Sequence, residues 1–462
     1  MTKPILRSMT ILLALLVGCE YVRPTLNAPL KQWEPAGGYR FSSLPPGGEN
    51  NNSDSLLIMA SFSGGGTRAS TLAFGVLREL ARQQITWEGK TKRFLDEIDM
   101  ISALSGGTFT AGYYALNGDQ IFHDFEGRFL RKDWESELKS RILRSPSNWV
   151  RLWSPYFGRT HIMAELLDEA LFEGKTYGDL LQRRQRPYLH IHATDMATLA
   201  RFEFSQGQFD WICSDLSALP IARASAASAA LPLALSPISY KNYAGTCGFE
   251  VPRAAADAAL KRGGVAAQRA KEYLSYLDVK KRGYIHLLDG GLSDNMALRA
   301  LLEGSTVVGG IEKAMQYWGI KNVKKFVILA VGAETSPDVL DFGGDQIPTL
   351  GKAMSSLVDV PINRYSADSV ALMRLGVRLL REELAKRPRP LDSRFAEDAE
   401  IYFINASLSE IEDPDERESL MRIATTLYLT DEQIDRLLLA ASRLIRNDPE
   451  FKRLMTELGG SP

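Results

Sequence analysis

Two hydrophobic rhythms alternate along this chain. Leu56 to Phe62 is an almost unbroken apolar run, and Ile98 to Leu104, Tyr188 to Ala193 and Tyr284 to Leu288 repeat the pattern. So do Lys325 to Val331 and Glu400 to Ile404. Short runs of this kind, without strict polar alternation, predict strands buried on both faces. Between them the spacing lengthens. Ala69, Leu72, Ala73, Val76, Leu77 and Leu80 trace one face of a helix, and Phe109, Tyr113 and Leu116 trace another. Arg223 to Pro232 is a helix of small residues ended by proline, and 252–282 reads as an alanine- and lysine-rich helical insertion. Helices are also predicted over 366–386 and over 431–445, the latter behind the capping box Thr430-x-x-Gln433. Strands alternating with helices give an α/β fold with a mostly parallel sheet covered on both faces.

Three of these strands end in chemically suggestive residues, and in open α/β sheets ligands bind outside the carboxyl ends of strands. The first strand runs into Ser63-Gly64-Gly65-Gly66-Thr67-Arg68. Successive glycines let backbone N–H groups approach an anion, and the adjoining helix points its positive end the same way. Arg68 falls in the first turn of that helix, where the dipole disfavours a cation; either it is solvated or it faces an anion such as a phosphate. The Walker spacing is absent. Gly64-x-Gly66-x-x-Ala69 fits a loose dinucleotide fingerprint, but no acidic residue ends a second strand about 20 residues on.

The second strand ends Ala103-Leu104-Ser105-Gly106-Gly107, and a helix comes next. Strand, abrupt turn and helix are the setting of a nucleophile elbow, although its usual first glycine is Ala103 here. On that stretch alone, an incidental serine in a glycine-rich turn reads equally well. The third strand ends Asp289-Gly290-Gly291. An Asp-Gly hairpin turn is the simpler reading, yet the next segment is not an alternating strand. Ser293 or Asp294 reads as an N-cap before Met296, Ala297, Leu298, Ala300 and Leu301. Each element is ambiguous alone; an anion cradle, a serine and an aspartate together point to hydrolytic chemistry. Histidine-based triads fit less well. His286 lies three residues from Asp289 and should face the opposite side of its strand, while His190 and His192 sit inside a strand.

Ser63-Gly-Gly-Gly-Thr-Arg68, Leu104-Ser105-Gly-Gly, Ala224-Ser-Ala-Ala-Ser-Ala-Ala-Leu-Pro232 and Asp289-Gly-Gly-x-x-x-Asn295 stand in the order seen in patatin-like phospholipases. The chain resembles that family well over residues 56–300 and loosely beyond. The resemblance implies a three-layer α/β/α patatin-like fold, mostly parallel in its sheet and with additional C-terminal helices. It implies a Ser–Asp dyad without histidine, no cofactor or metal, and lipid acyl esters as substrates. By position, Ser105 is then the nucleophile and Asp289 its base. Gly64, Gly65 and Gly66 form the anion-binding loop, with Gly65 and Gly66 as oxyanion donors and Arg68 nearby; Ala103, Gly106 and Gly107 form the elbow. Ala103 and Ala297, where the family often has proline, depart from the pattern. A non-catalytic envelope lipoprotein using the fold to bind lipid or protein is the alternative, and intact Ser105 and Asp289 speak against it.

Composition changes this picture little. The chain has 462 residues, 45% hydrophobic and 24% charged, and a formal net charge of −1. That balance gives no sign of a nucleic-acid partner, which needs a basic excess. The N-terminus adds more. Lys3 and Arg7 precede a short apolar run from Met9 to Val17, ending Leu16-Val17-Gly18-Cys19. This reads as a secretory signal peptide over 1–18 and resembles the lipobox of bacterial lipoproteins, with Cys19 as the acylated residue. Glu20 resembles the outer-membrane sorting pattern, so the expected location is the bacterial envelope, anchored in the outer membrane and facing the periplasm. Membrane lipids are then both anchor and substrate. Residues 19–54, rich in proline, glycine and asparagine, are expected to be a flexible tether. The catalytic domain is expected over 55–462, with its core at 55–335 and a helix-rich part at 336–462. In an oxidising compartment Cys213 and Cys247 could pair, though their separation does not decide it. Residues 117–187, rich in charge and aromatics, are expected to be helices and loops, and the role of the insertion 120–187 stays open. Within them, Trp149 to Phe157 forms either an apolar belt at a lipid interface or, as such clusters more often do, core.

Overall fold

The computed structural model describes residues 21–45, 52–336, 345, 347–386 and 392–460. The signal-peptide stretch 1–18 and Cys19 lie outside the described residues. The predicted apolar runs form the centre of one sheet. β1 (Leu56–Phe62) and β2 (Ile98–Leu104) are buried at every position. β3 (Tyr188–Asp195), β4 (Arg201–Phe204), β5 (Ile238–Lys241), β6 (Tyr284–Leu288), β7 (Val323–Gly332) and β8 (Phe395–Ser407) complete it. The 8-stranded order is β8-β7-β1-β2-β3-β6-β5, with β4 paired to β3. From β8 to β3 neighbouring strands run parallel, whereas β6, β5 and β4 join antiparallel. The sheet is thus mixed and mostly parallel.

The helices that concern the site are α1 (Gly66–Leu80), α2 (Gly107–Asn117), α3 (Trp134–Leu143), α4 (Pro146–Leu152), α5 (Arg159–Leu167) and α6 (Ile221–Ser228). In the C-terminal part, α7 (Leu350–Ala385) is longer than the predicted 366–386, and α8 (Asp431–Asn447) keeps its Thr430–Gln433 capping box. Helices flank the sheet on both faces, which gives the three-layer α/β/α arrangement. β7 extends the sheet beside β1, and the C-terminal part completes this core: β8 pairs with β7, and α8 packs on α1.

A buried carboxylate marks an irregularity in the central pair. The β1–β2 register shifts between Ile58 and Met59, and Asp99 Oδ2 accepts the Ile58 N–H at 2.7 Å. Burial pushes the Asp99 carboxyl up to about 7, although Arg186 lies against it at 2.5 Å.

Two expectations change. The stretch 19–54 is not a free tether over 27–44. Tyr39 is fully buried and stacks on Tyr188 with centroids 4.8 Å apart, and Phe41 and Leu44 are buried beside it. Asn27 donates to Ser214 Oγ at 2.8 Å, and Arg40 pairs with Asp210 at 2.5 Å. The apolar spacing Tyr39, Phe41, Leu44 wins over the proline and glycine around it, because the body offers those side chains a dry surface. The helix expected from Met296 is also interrupted. A short turn, Gly291–Asp294, ends before Asn295, and the next helix starts at Arg299 with its N–H on Asp294 Oδ2 at 2.8 Å. Between them Ala297 takes the left-handed conformation, φ +55°. Cys213 and Cys247 form a disulfide. The Leu30 and Trp33 N–H groups donate to the carbonyls of these two cysteines, so the strap from 27 is fastened at the bridge.

Candidate active site

Ser105 stands where β2 turns into α2. Its φ of +46° is a left-handed conformation that a non-glycine residue holds only at a cost of order 1–3 kcal/mol. The turn is possible because its neighbours are bare. A Cβ on Gly106 would lie 2.0 Å from the Gly66 carbonyl oxygen, so nothing larger fits between elbow and glycine loop. The Ser105 hydroxyl donates to Asp289 Oδ2 at 3.0 Å. Asp289, at the end of β6, receives the Gly291 N–H on its other oxygen at 2.8 Å. Its backbone is fixed by the Ala230 carbonyl and by the Thr194 hydroxyl. Burial raises the Asp289 carboxyl to about 6, and the bonds from Gly291 and Ser105 pull in the opposite direction. A carboxylate of this kind is a stronger base than one in water and still ionised at neutral pH.

The glycine loop divides its amides. Gly64 N–H is spent on the Asn295 carbonyl at 3.2 Å, and Thr67 N–H on the Thr426 carbonyl at 2.9 Å. Among the described residues, the Gly65 and Gly66 N–H groups donate to no protein acceptor. Both glycines have positive φ, +136° and +59°. These two amides are the ones left unspent in the loop. Gly64 is corrected: it orders the loop and has no amide left for an anion.

Arg68 is corrected as well. It is 1% exposed, and its guanidinium donates to the Ala333 carbonyl at 2.9 Å, to Thr425 Oγ1 at 3.2 Å and to the Ile423 carbonyl. Burial lowers its pKa to about 10, partly offset by Glu334. It is neither solvated nor free for a phosphate. A cation in the first turn of a helix is tolerated because surrounding carbonyls replace water.

Among the described residues, no histidine lines the cavity above Ser105. His192 is buried against the Ser102 hydroxyl at 2.7 Å, and burial holds it well below its ordinary pKa. His190 meets Glu203 at 3.3 Å, and His286 meets Ser239 Oγ at 2.7 Å on the exposed face of its strand. The cavity itself measures about 470 Å³. Ser105, Asp289, Asn295 and the three glycines form its polar floor; Leu138, Ile142, Leu143, Met163, Leu231 and Leu235 form apolar walls. Among the described residues no cluster of His, Cys, Asp and Glu is arranged to hold a metal.

Three functional positions escaped the sequence reading. Ser228, in the small-residue helix α6, accepts the Ser105 N–H at 2.7 Å; the repeat Ser225-x-x-Ser228 was the available signal. Asn295 stood in a quoted motif without a role, and it holds Gly64. The segment Ile423–Leu427 carries no motif, yet it receives Arg68 and Thr67 and closes the cavity.

The site is thus a serine on a strained elbow, hydrogen-bonded to a buried aspartate beneath an apolar cavity, in a three-layer α/β/α protein. The family model of patatin-like phospholipases matches residues 60–302, and the chain belongs to that family. No curated protein gives a significant match. Among solved structures it is similar to human GIVD cytosolic phospholipase A2, at 13% identity and TM-score 0.42, over 88% of this chain and 60% of that one. The same human protein in complex with methyl gamma-linolenyl fluorophosphonate gives 12% identity and TM-score 0.40, over 90% and 59%. This chain therefore spans about three-fifths of the length of the human structures.

Proposed function

We propose that this protein is a serine acyl hydrolase that cleaves the acyl esters of membrane phospholipids or lysophospholipids. The observation that carries the reading is the 3.0 Å hydrogen bond from Ser105 Oγ to Asp289 at the floor of an apolar cavity of about 470 Å³. Asp289 takes the Ser105 proton as Oγ attacks the ester carbonyl, and the Gly65 and Gly66 N–H groups stabilise the oxyanion. The leaving alcohol departs with the proton from Asp289, leaving an acyl-serine. Water then attacks that ester, gives its proton to Asp289, and fatty acid leaves as Ser105 Oγ is reprotonated. Family membership and a cavity lining of described residues without an imidazole support a dyad over a triad.

In the same reading the chain is a lipoprotein, cleaved before Cys19, acylated there and held in the outer membrane facing the periplasm. The Leu16-Val17-Gly18-Cys19 sequence supports this. The enzymatic part is tested with purified protein bearing Cys19→Ser and a mixture of envelope lipids, measuring fatty-acid release. Release that vanishes in Ser105→Ala is expected. Lipid bound without turnover would instead favour a non-catalytic lipid-binding protein.

A further inference from the structure

α4 turns apolar side chains towards solvent. Trp149, Val150 and Trp153 are 53%, 69% and 91% exposed. Leu143, at the end of α3, continues the patch, since the Trp149 indole N–H donates to its carbonyl at 3.2 Å. Tyr156 extends it beyond α4. Scattered exposed apolar residues are ordinary, but two tryptophans beside leucine, valine and tyrosine are not. The patch also opens onto the catalytic cavity, because Leu143 belongs to both.

Charge says what covers it. From Lys139 to Arg159 the sequence has five basic residues and no Asp or Glu. Arg141 and Arg151 are tied to Glu169 and Glu165. Arg144 and Arg159 are exposed and have no carboxylate partner among the described residues. Tryptophan and tyrosine flanked by exposed arginines without a carboxylate partner suit a headgroup layer, where amphipathic rings and anionic phosphates lie at one depth.

The path of the chain adds an independent observation. Tyr21, the first described residue, packs edge-on against Tyr156 at 6.4 Å. Arg23 lies over the same ring at 3.9 Å, and Ser154 Oγ donates to the Val22 carbonyl at 2.6 Å. Cys19 is only two residues upstream of Tyr21 in the sequence, so the proposed acylation site is joined to this face by a short length of chain. An acyl chain there would enter the bilayer beside Trp153.

We propose that the α3–α4 face is a docking surface for an anionic lipid bilayer, which seats Trp149 and Trp153 among the headgroups and the cavity mouth on the leaflet. The choice of partner rests on the proposed lipid substrate; the binding needs no turnover.

The test uses full-length chain carrying Cys19→Ser and Ser105→Ala, with vesicles of brominated phosphatidylcholine and phosphatidylglycerol in equal parts. Bromine quenches tryptophan that enters the bilayer. Quenching is expected in this parent and its loss in the Trp149→Phe/Trp153→Phe pair, which still binds. Trp149→Ser/Trp153→Ser should partition at least about tenfold more weakly. Pure phosphatidylcholine vesicles should bind the parent more weakly than the anionic mixture. Equal partitioning of the serine pair and the parent would overturn the proposal. So would quenching that survives the phenylalanine pair, or a dimer that forms through this face and is broken by the serine pair. Hydrolysis is measured separately, in chains that keep Ser105. Absent esterase activity with intact docking would remove the proposed function alone, and lost docking with dispersed esters still hydrolysed would remove this proposal alone.

Discussion

The Ser105 backbone N–H donates to Ser228 Oγ, 123 residues away, and that hydroxyl in turn donates to the His192 carbonyl. The strained Ser105 turn is therefore braced from α6 and β3 as well as by its own strand. Ser228→Ala leaves a buried amide unpaired and should cost about 1–3 kcal/mol of stability. It should also lower kcat more than it raises KM. Denaturant unfolding and steady-state kinetics on one preparation check both, and unchanged kcat would show that the elbow holds without its brace.

Ser105 and Asp289 should behave as one unit. Ser105→Ala and Asp289→Asn should each nearly abolish ester hydrolysis, and the double variant should be little worse than either. His190→Ala, His192→Ala and His286→Ala should keep most activity after correction for folding. An organophosphonate should label wild type at Ser105 only, read by mass spectrometry. A histidine variant as inactive as Ser105→Ala would replace the dyad with a triad.

The proposed dyad also predicts a pH response. Asp289 must be ionised to accept a proton, and its carboxyl stands at about 6. The rising limb of kcat/KM should have its midpoint near that pH. Stability runs the other way, because the folded carboxyl holds its proton above the ordinary aspartate value of 3.8. The native state then binds more protons than the unfolded chain, so stability falls as pH rises from about 4 to about 6 and levels above. Asp289→Asn should remove that loss and gain up to about 3 kcal/mol at pH 8. Calorimetry across pH 4–8 reads it, and equal stability of the two proteins at pH 8 would contradict the burial argument.

Gly65→Ala and Gly66→Ala test the oxyanion donors. A Cβ on Gly66 would meet the Thr426 carbonyl oxygen at 2.4 Å, so this variant must also move the closing segment. A loss of about 10²-fold or more in kcat is expected for each. Full turnover by a folded variant would assign the loop another task.

Much of this site was legible, for a specific physical reason. The ends of β1, β2 and β6 could be placed because buried strands read as apolar runs and the polar residues that stop them are conspicuous. Arg68 was legible as an anomaly but not as an answer. Its partners, Ala333 and Ile423, lie 265 and 355 residues away, on backbone carbonyls that any residue type supplies. Gly64 and Gly65 look alike in sequence; only the Asn295 carbonyl distinguishes them. The segment 27–44 misled because proline and glycine signal irregular backbone, and irregular backbone need not be loose.

Arg68 provides the discriminating substitution. Arg68→Lys keeps the charge but cannot reach Ala333, Thr425 and Ile423 together. Activity on a neutral p-nitrophenyl ester and on a phospholipid should fall by the same factor, alongside stability. Selective loss on the phospholipid would restore a phosphate-binding role.

The same long-range bonds have a consequence for the order in which the protein matures. β1 needs β7 at its side, and the glycine loop needs the segment that receives Arg68, 355 residues later. Contacts this distant in sequence form late, because the intervening chain must first be confined. Ser105, Asp289 and the glycine loop can therefore all be synthesised well before they stand together as one site. If the proposed export and lipid substrate hold, the chain crosses one membrane before it is armed to act on another.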